Sequence, residues 1–131
     1  MYVPPGFNTI TPYFFVENAG QFVAFIVKAF GGIEVVRSLR PDGRIANAQV
    51  RIGTSTIMAS EAGGRYAPMP TACYIYVEDA DKAMVQALAA GGTQEMEVSD
   101  MPYGDRQGGI KDPHGNIWWV SQRLVQAPYS A

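Results

Sequence analysis

Two short runs of alternating aromatic and β-branched residues open two similar stretches of this chain, and each is followed by a run of helical periodicity. Tyr13-Phe14-Phe15-Val16-Glu17-Asn18-Ala19 returns as Tyr74-Ile75-Tyr76-Val77-Glu78-Asp79-Ala80. Each run predicts a strand that ends in Val-Glu and meets a side chain suited to cap a helix. Phe22, Val23, Ile26, Ala29 and Phe30 then fall at helical spacing, as do Met84, Val85, Leu88 and Ala89. Both predicted helices stop at a double glycine, Gly31-Gly32 and Gly91-Gly92, where a residue can take the left-handed conformation.

Three further strand-like runs follow each helix. They are expected at about 33–39, 45–52 and 55–60 in the first half, and at about 94–100, 105–111 and 115–122 in the second. Arg40-Pro41-Asp42-Gly43, Gly53-Thr54, Met101-Pro102-Tyr103-Gly104 and Asp112-Pro113-His114-Gly115-Asn116 supply the turns. The repeated unit is βαβββ, and the fold class is α+β. The expectation is a single domain over 1–131, with modules at about 9–60 and 70–123 joined by a linker at 61–69.

Composition narrows the function classes. Apolar residues at 47% and charged residues at 17% describe a globular chain. No apolar run approaches the ~18 residues of a spanning helix. The N-terminal residues show no basic segment leading into an apolar one, so no secretory signal is expected. A net charge of −2 without a basic cluster offers no footprint for nucleic acid. Cys73 is the sole cysteine and sits in a strand-like run, which predicts a small core residue rather than a nucleophile. Together these features predict a cytoplasmic protein that uses neither membrane nor nucleic acid.

The two βαβββ units, with the run Tyr103-Gly104-Asp105-Arg106-Gln107-Gly108-Gly109-Ile110-Lys111-Asp112-Pro113-His114-Gly115-Asn116-Ile117-Trp118-Trp119, resemble the PhnB-like branch of the glyoxalase/bleomycin-resistance (vicinal oxygen chelate) superfamily. The resemblance covers roughly residues 9–123. It implies curved mixed sheets with helices outside, a homodimer, and ligand sites in the cups or at the junction between subunits. In metal-using relatives four inward side chains hold one divalent ion, which acts as a Lewis acid. The resemblance carries those positions onto Thr11, Gln49 (or Asn47), Ala72 and Trp119. Of the four, only the Gln49 amide is a usable donor for Zn²⁺, Ni²⁺ or Fe²⁺. No metal site and no cofactor are therefore expected, and His114, the only histidine, reads as a turn residue.

Strand alternation sorts the remaining side chains. Phe14, Val16, Val50, Ile52, Cys73, Ile75, Val77, Trp118 and Val120 share one parity and should pack under the helices. The opposite parity carries Thr11, Tyr13, Phe15, Asn47, Gln49, Arg51, Ala72, Tyr74, Tyr76, Ile117, Trp119 and Ser121. From this second set Tyr13, Phe15, Asn47, Gln49, Tyr74, Tyr76 and Trp119 are the candidate ligand-binding residues, since rings give contact area and amides give orientation. Arg106 is a possible anion contact, or else a structural partner of Asp105 or another carboxylate. Glu17 and Glu78 are explained by the adjacent helix N-termini, and Asp112 by a turn bond to backbone.

The first expectation is a metal-free protein that binds an aromatic or planar organic ligand in a cup at or near a dimer interface. A metal-dependent lyase, isomerase or dioxygenase is the second. A dimeric scaffold with filled cups is the third. The identity of the ligand, and whether any catalysis occurs, are not written in the sequence.

Overall fold

The structure, a computed structural model that describes residues 2–130, realises the repeat as two compact units, one ending at Pro70 and one beginning at Thr71. The first contains β1 (Tyr13–Val16), α1 (Ala19–Phe30), β2 (Ile33–Leu39), β3 (Ile45–Ile52) and β4 (Ser55–Glu61). The second contains β5 (Ala72–Tyr76), α2 (Ala80–Ala89), β6 (Thr93–Asp100), β7 (Asp105–Lys111) and β8 (Ile117–Arg123). Each sheet has four strands, in the orders β1-β4-β3-β2 and β5-β8-β7-β6. The first strand of each module runs parallel to the last, and the other pairings are antiparallel. This is the α+β, twice-βαβββ architecture that the repeat predicts. Among the described residues no helix is long and apolar enough to cross a membrane.

The helix starts follow from their caps. Asn18 Oδ1 accepts from Gln21 N at 3.3 Å, and Asp79 Oδ1 accepts from Lys82 N at 3.0 Å. A second cap comes from the end of the same module. Glu61 accepts from Asn18 N at 2.8 Å and from Ala19 N at 2.9 Å, while Gln122 Oε1 accepts from Ala80 N at 3.0 Å. These side chains take up backbone donors that the first helical turn leaves without intrahelical partners.

The double glycines have two roles. Gly31 stands at φ 68° and returns its N–H to Val27 O, which ends α1. At α2 the positive φ falls instead on Gly91, at 115°, after Ala90. The second glycine of each pair lets the helix end close onto its sheet. A Cβ on Gly32 would lie 2.9 Å from Val50 Cγ1, and one on Gly92 would lie 2.7 Å from Ile110 Cγ1.

The helix-side parity is the core in both units. Phe14, Val16, Val50, Trp118 and Val120 are buried, together with Phe22, Val23 and Ile26 of α1. Cys73, Ile75, Val77 and Ile52 are half-buried. The expected stripe on α2 is only partly realised, because Val85 is 68% exposed and Leu88 is 39% exposed. The buried face of α2 is Ala80, Met84 and Ala87. These residues recur at i, i+4 and i+7, and Met84 lies against Gly108, where a Cβ would come within 3.0 Å of its sulfur. Two alanines flank Met84, whose side chain fits over a glycine, so this face can approach the sheet closely and Val85 and Leu88 turn outward.

The Asp112–Asn116 turn is built around the Asp112 carboxylate. Asp112 is buried and accepts from His114 N (2.9 Å), Asn116 N (3.0 Å) and Trp118 Nε1 (2.9 Å). Asn116 Oδ1 accepts in turn from Thr71 N at 2.9 Å. The expected turn bond is present, and it also ties β7, β8 and the entry to β5 together.

Candidate functional site

The face of each sheet that turns away from its helix is a candidate surface, and the register defines it in rows. In the second sheet Tyr74 pairs with Trp119, Trp119 with Gly109 and Gly109 with Met96. One step along, Tyr76 pairs with Ser121, Ser121 with Gln107 and Gln107 with Ser99. Gly109 is there for the indole: a Cβ on it would stand 2.7 Å from the Trp119 ring.

Below these rings lies a hydrogen-bonded polar layer. Asp105 is fully buried, accepting from Tyr76 OH at 2.9 Å and from Arg123 Nη1 at 2.9 Å. Arg123 Nη1 also donates to Tyr103 O at 2.8 Å. Gly104 clears space for that guanidinium, since a Cβ there would meet Arg123 Nη1 at 3.1 Å. Gln107 Nε2 donates to Ser121 Oγ at 2.6 Å, and Tyr103 OH donates to Gln107 Oε1. Tyr74 lies in a cluster of phenol rings, 5.8 Å from Tyr76 and 6.4 Å from Tyr129 between centroids, and Tyr129 lies 5.3 Å from Tyr103.

This layer sets the protonation of the face. Burial, and then the hydrogen bond to Asp105, push the Tyr76 phenol up to about 12. Burial, and then the neighbouring Tyr74 phenol, push Tyr103 up to about 12. Both are therefore neutral hydrogen-bonding groups at ordinary pH and poor bases. Burial, and then Asp112, raise the Cys73 thiol, so it is a weak nucleophile. What the face offers is ring surface, phenol hydroxyls and one anchored guanidinium.

The first sheet carries the corresponding row Tyr13, Met58, Gln49 and Val36. Tyr13 and Phe15 have ring centroids 5.1 Å apart, and Phe15 stacks on Tyr66 at 5.2 Å with 8° between planes. Gln49 Nε2 donates to Asn47 Oδ1 at 3.3 Å. Arg51 Nη1 and Thr56 Oγ1 both donate to Gly6 O, at 2.8 and 2.6 Å, which ties the N-terminal segment to this sheet.

The expected binding residues thus separate by unit: Tyr13, Phe15, Asn47 and Gln49 share the first face, and Tyr74, Tyr76 and Trp119 share the second. Arg106 has the other parity. It is held by Asp81 (2.7 Å) and Asp100 (2.9 Å), not by Asp105. The Arg106 contact draws the Asp81 carboxyl below its usual range. Several residues of the second face were not anticipated as site residues, namely Asp105, Tyr103, Gln107, Arg123 and Tyr129. Strand parity points to Arg123 through 117, 119 and 121, and to Asp105 through 107 and 109. Tyr129 lies outside any strand and left no periodic signal.

The register also changes the expected metal positions. Tyr13 pairs with Met58 just as its repeat partner Tyr74 pairs with Trp119, so the counterpart of Trp119 is Met58 rather than Gln49. The first unit then offers Thr11 and Met58, and the second offers Ala72 and Trp119. A hydroxyl, a thioether, a methyl and an indole do not suit a hard or borderline divalent ion. Among the described residues no group of three or more His, Cys, Asp or Glu side chains is placed to hold an ion.

A concavity of about 380 Å³ lies at the start of α1, lined by Asn18, Gly20, Arg37, Gly43, Arg44, Ile45 and Glu61. Its charges are satisfied internally. Arg37 pairs with Glu34, Arg44 pairs with Asp42, and Glu61 occupies the helix N–H groups.

Comparison with known proteins agrees with this architecture. The profile of the Glyoxalase/Bleomycin resistance protein/Dioxygenase superfamily matches residues 6–120. An uncharacterized protein of Mycobacterium bovis, Mb0911c, is 32% identical over 124 residues, covering 86% of this chain and 82% of its own. The crystal structure of TioX from Micromonospora sp. ML1 superposes with a TM-score of 0.77 at 22% identity, covering 89% of this chain and 99% of that one. TnmS3, an antibiotic binding protein from Streptomyces sp. CB03234, superposes with a TM-score of 0.72 at 17% identity, covering 94% and 98%. The chain belongs to the Glyoxalase/Bleomycin resistance protein/Dioxygenase superfamily.

Proposed function

We propose that this chain is a metal-free binding protein for an aromatic or planar organic molecule, received on the aromatic sheet faces at or near the contact with a second copy of the chain. The observation that carries the reading is the exposure of ring surface on faces that no helix covers. Tyr13 is 40% exposed, Tyr74 45% and Tyr76 52%. Rings left open to water above a hydrogen-bonded polar layer suit stacking with a planar ligand, with phenols and amides to orient it. The misfit of the donor set to a divalent ion favours binding over the Lewis-acid chemistry of the superfamily's enzymes. That TnmS3 binds an antibiotic on a similar fold supports the same choice. The Tyr103–Trp119 run supports a reading of the chain as PhnB-like, and its composition and fold are in keeping with a cytoplasmic dimer.

Tryptophan fluorescence tests the reading, because Trp119 belongs to the candidate face. Titration with a panel of planar antibiotics should give a saturable change with at least one, weakened about tenfold by Tyr74→Ala, as expected for loss of a stacked ring. No change across the panel would remove the basis for the proposal.

A further inference from the structure

The segment after β8 returns over the second sheet and lays Tyr129 on the tyrosine face. The Tyr129 ring meets Tyr103 at 5.3 Å between centroids and Tyr74 edge-on at 6.4 Å, with the Arg123 guanidinium 5.8 Å from its centroid. The segment is held lightly. Residues 124–130 are all exposed and pair with no strand. Arg123 Nη2 donates to Ala127 O and Pro128 O at 2.8 and 3.0 Å. Two exposed hydrogen bonds and one half-exposed ring compete with the entropy of ordering the segment, so such a strap opens readily.

The surface under the strap is independent of it. Arg123 Nη1 stays fixed by Asp105 and Tyr103 O, and Tyr103 by Gln107. Opening the strap therefore leaves a preformed place for one ring, with a phenol to bond its oxygen and a cation beside its face. The first unit shows the same device. The segment after β4 lays Tyr66 flat on Phe15, with Arg65 5.7 Å from the Tyr66 centroid. In both modules the chain that leaves the last strand supplies a tyrosine ring to the aromatic face beside an arginine.

We propose that Tyr129 occupies, from within the chain, a subsite for a planar ring bearing a hydroxyl or carbonyl oxygen, and that a ligand of this class binds by displacing the segment 125–130. The inference rests on the binding function proposed above, and it adds the chemistry of one subsite and the residue that competes for it. An internal ring that keeps the subsite closed about nine-tenths of the time weakens an external ligand about tenfold.

Calorimetric titration of the full chain with naphthol sulfonate and naphthalene sulfonate tests this, since the two soluble planar probes differ by one hydroxyl. Tyr129→Ala should bind naphthol sulfonate about tenfold more tightly than the unaltered chain, and Tyr74→Phe added to it should remove most of that gain. Naphthalene sulfonate should gain much less. Equal affinities in the unaltered chain and Tyr129→Ala would overturn the subsite while leaving planar-ligand binding intact. An equal gain for both probes would overturn the hydroxyl requirement. Binding of neither probe by any variant, while the antibiotic panel still binds, would overturn the subsite alone; silence in both experiments would remove the binding function as well. Thermal melting of each variant establishes that the comparison is made between folded proteins.

Discussion

Arg123 and Asp105 form an ion pair of 2.9 Å under the tyrosines of the second sheet, with the carboxylate wholly buried and the arginine side chain 22% exposed. The pair joins the first residue of β7 to the last of β8 and supports Tyr76, Tyr103 and the strap from one point. Replacing Arg123 by Met keeps much of the apolar stem and leaves the Asp105 charge without its cation. Removing one partner of such a pair costs about 3–5 kcal/mol when both are buried, so the half-open arginine here implies about 2–3 kcal/mol. Urea unfolding should show that loss as a lower midpoint at unchanged slope. A loss under about 0.5 kcal/mol would mean that the pair is not a structural anchor.

The second glycine of each helix stop makes a separate prediction. A methyl group on Gly92 would stand 2.7 Å from Ile110 Cγ1 and 3.1 Å from Ala87 O. Overpacking of this kind costs about 1–3 kcal/mol. Gly92→Ala should lower the melting temperature, and Ile110→Val in the same chain should not restore it, because valine keeps the Cγ1 that stands at 2.7 Å and loses only the Cδ1 at 3.3 Å. Gly32→Ala should act alike through Val50.

The tyrosine face has a signature at high pH. Tyr76 and Tyr103 titrate near 12 in the folded chain, against an ordinary value of 10.0. Between those values the unfolded chain holds fewer protons than the folded one, so stability falls as pH rises through this window. Below about pH 10 the contribution is fully present. Phenolate absorbance should therefore rise in an early phase from ordinary tyrosines and a late phase from these two. Tyr76→Phe should reduce the late phase and leave the early one in place.

Much of this fold was legible because the repeat is local. A strand ending in Val-Glu, a capping Asn18 or Asp79, a helix and two glycines each carry their own signal, and the boundaries of β2, β3 and β7 follow from turns. Signals that depend on pairing register were harder to read. The choice between Gln49 and Met58 is a choice between adjacent strands, and only the alignment of Tyr13 with Met58 decides it. Val85 reads as core from helical spacing, yet the side of α2 that is buried depends on Gly108 in a strand more than twenty residues away. The candidate face followed from alternation as far as Tyr74, Tyr76 and Trp119. Tyr129 reaches it through an irregular segment, for which no periodicity exists to be read.

The central claim is binding of a planar ligand without a metal. Calorimetric titration of a panel of planar antibiotics into chelator-treated protein, repeated after adding Ni²⁺ or Zn²⁺, tests it most directly. The prediction is saturable binding by the chelated protein, with affinity and melting temperature unchanged by either ion. Binding that appears only after an ion is restored, or metal-restored lyase or dioxygenase activity with no metal-free binding, would contradict it.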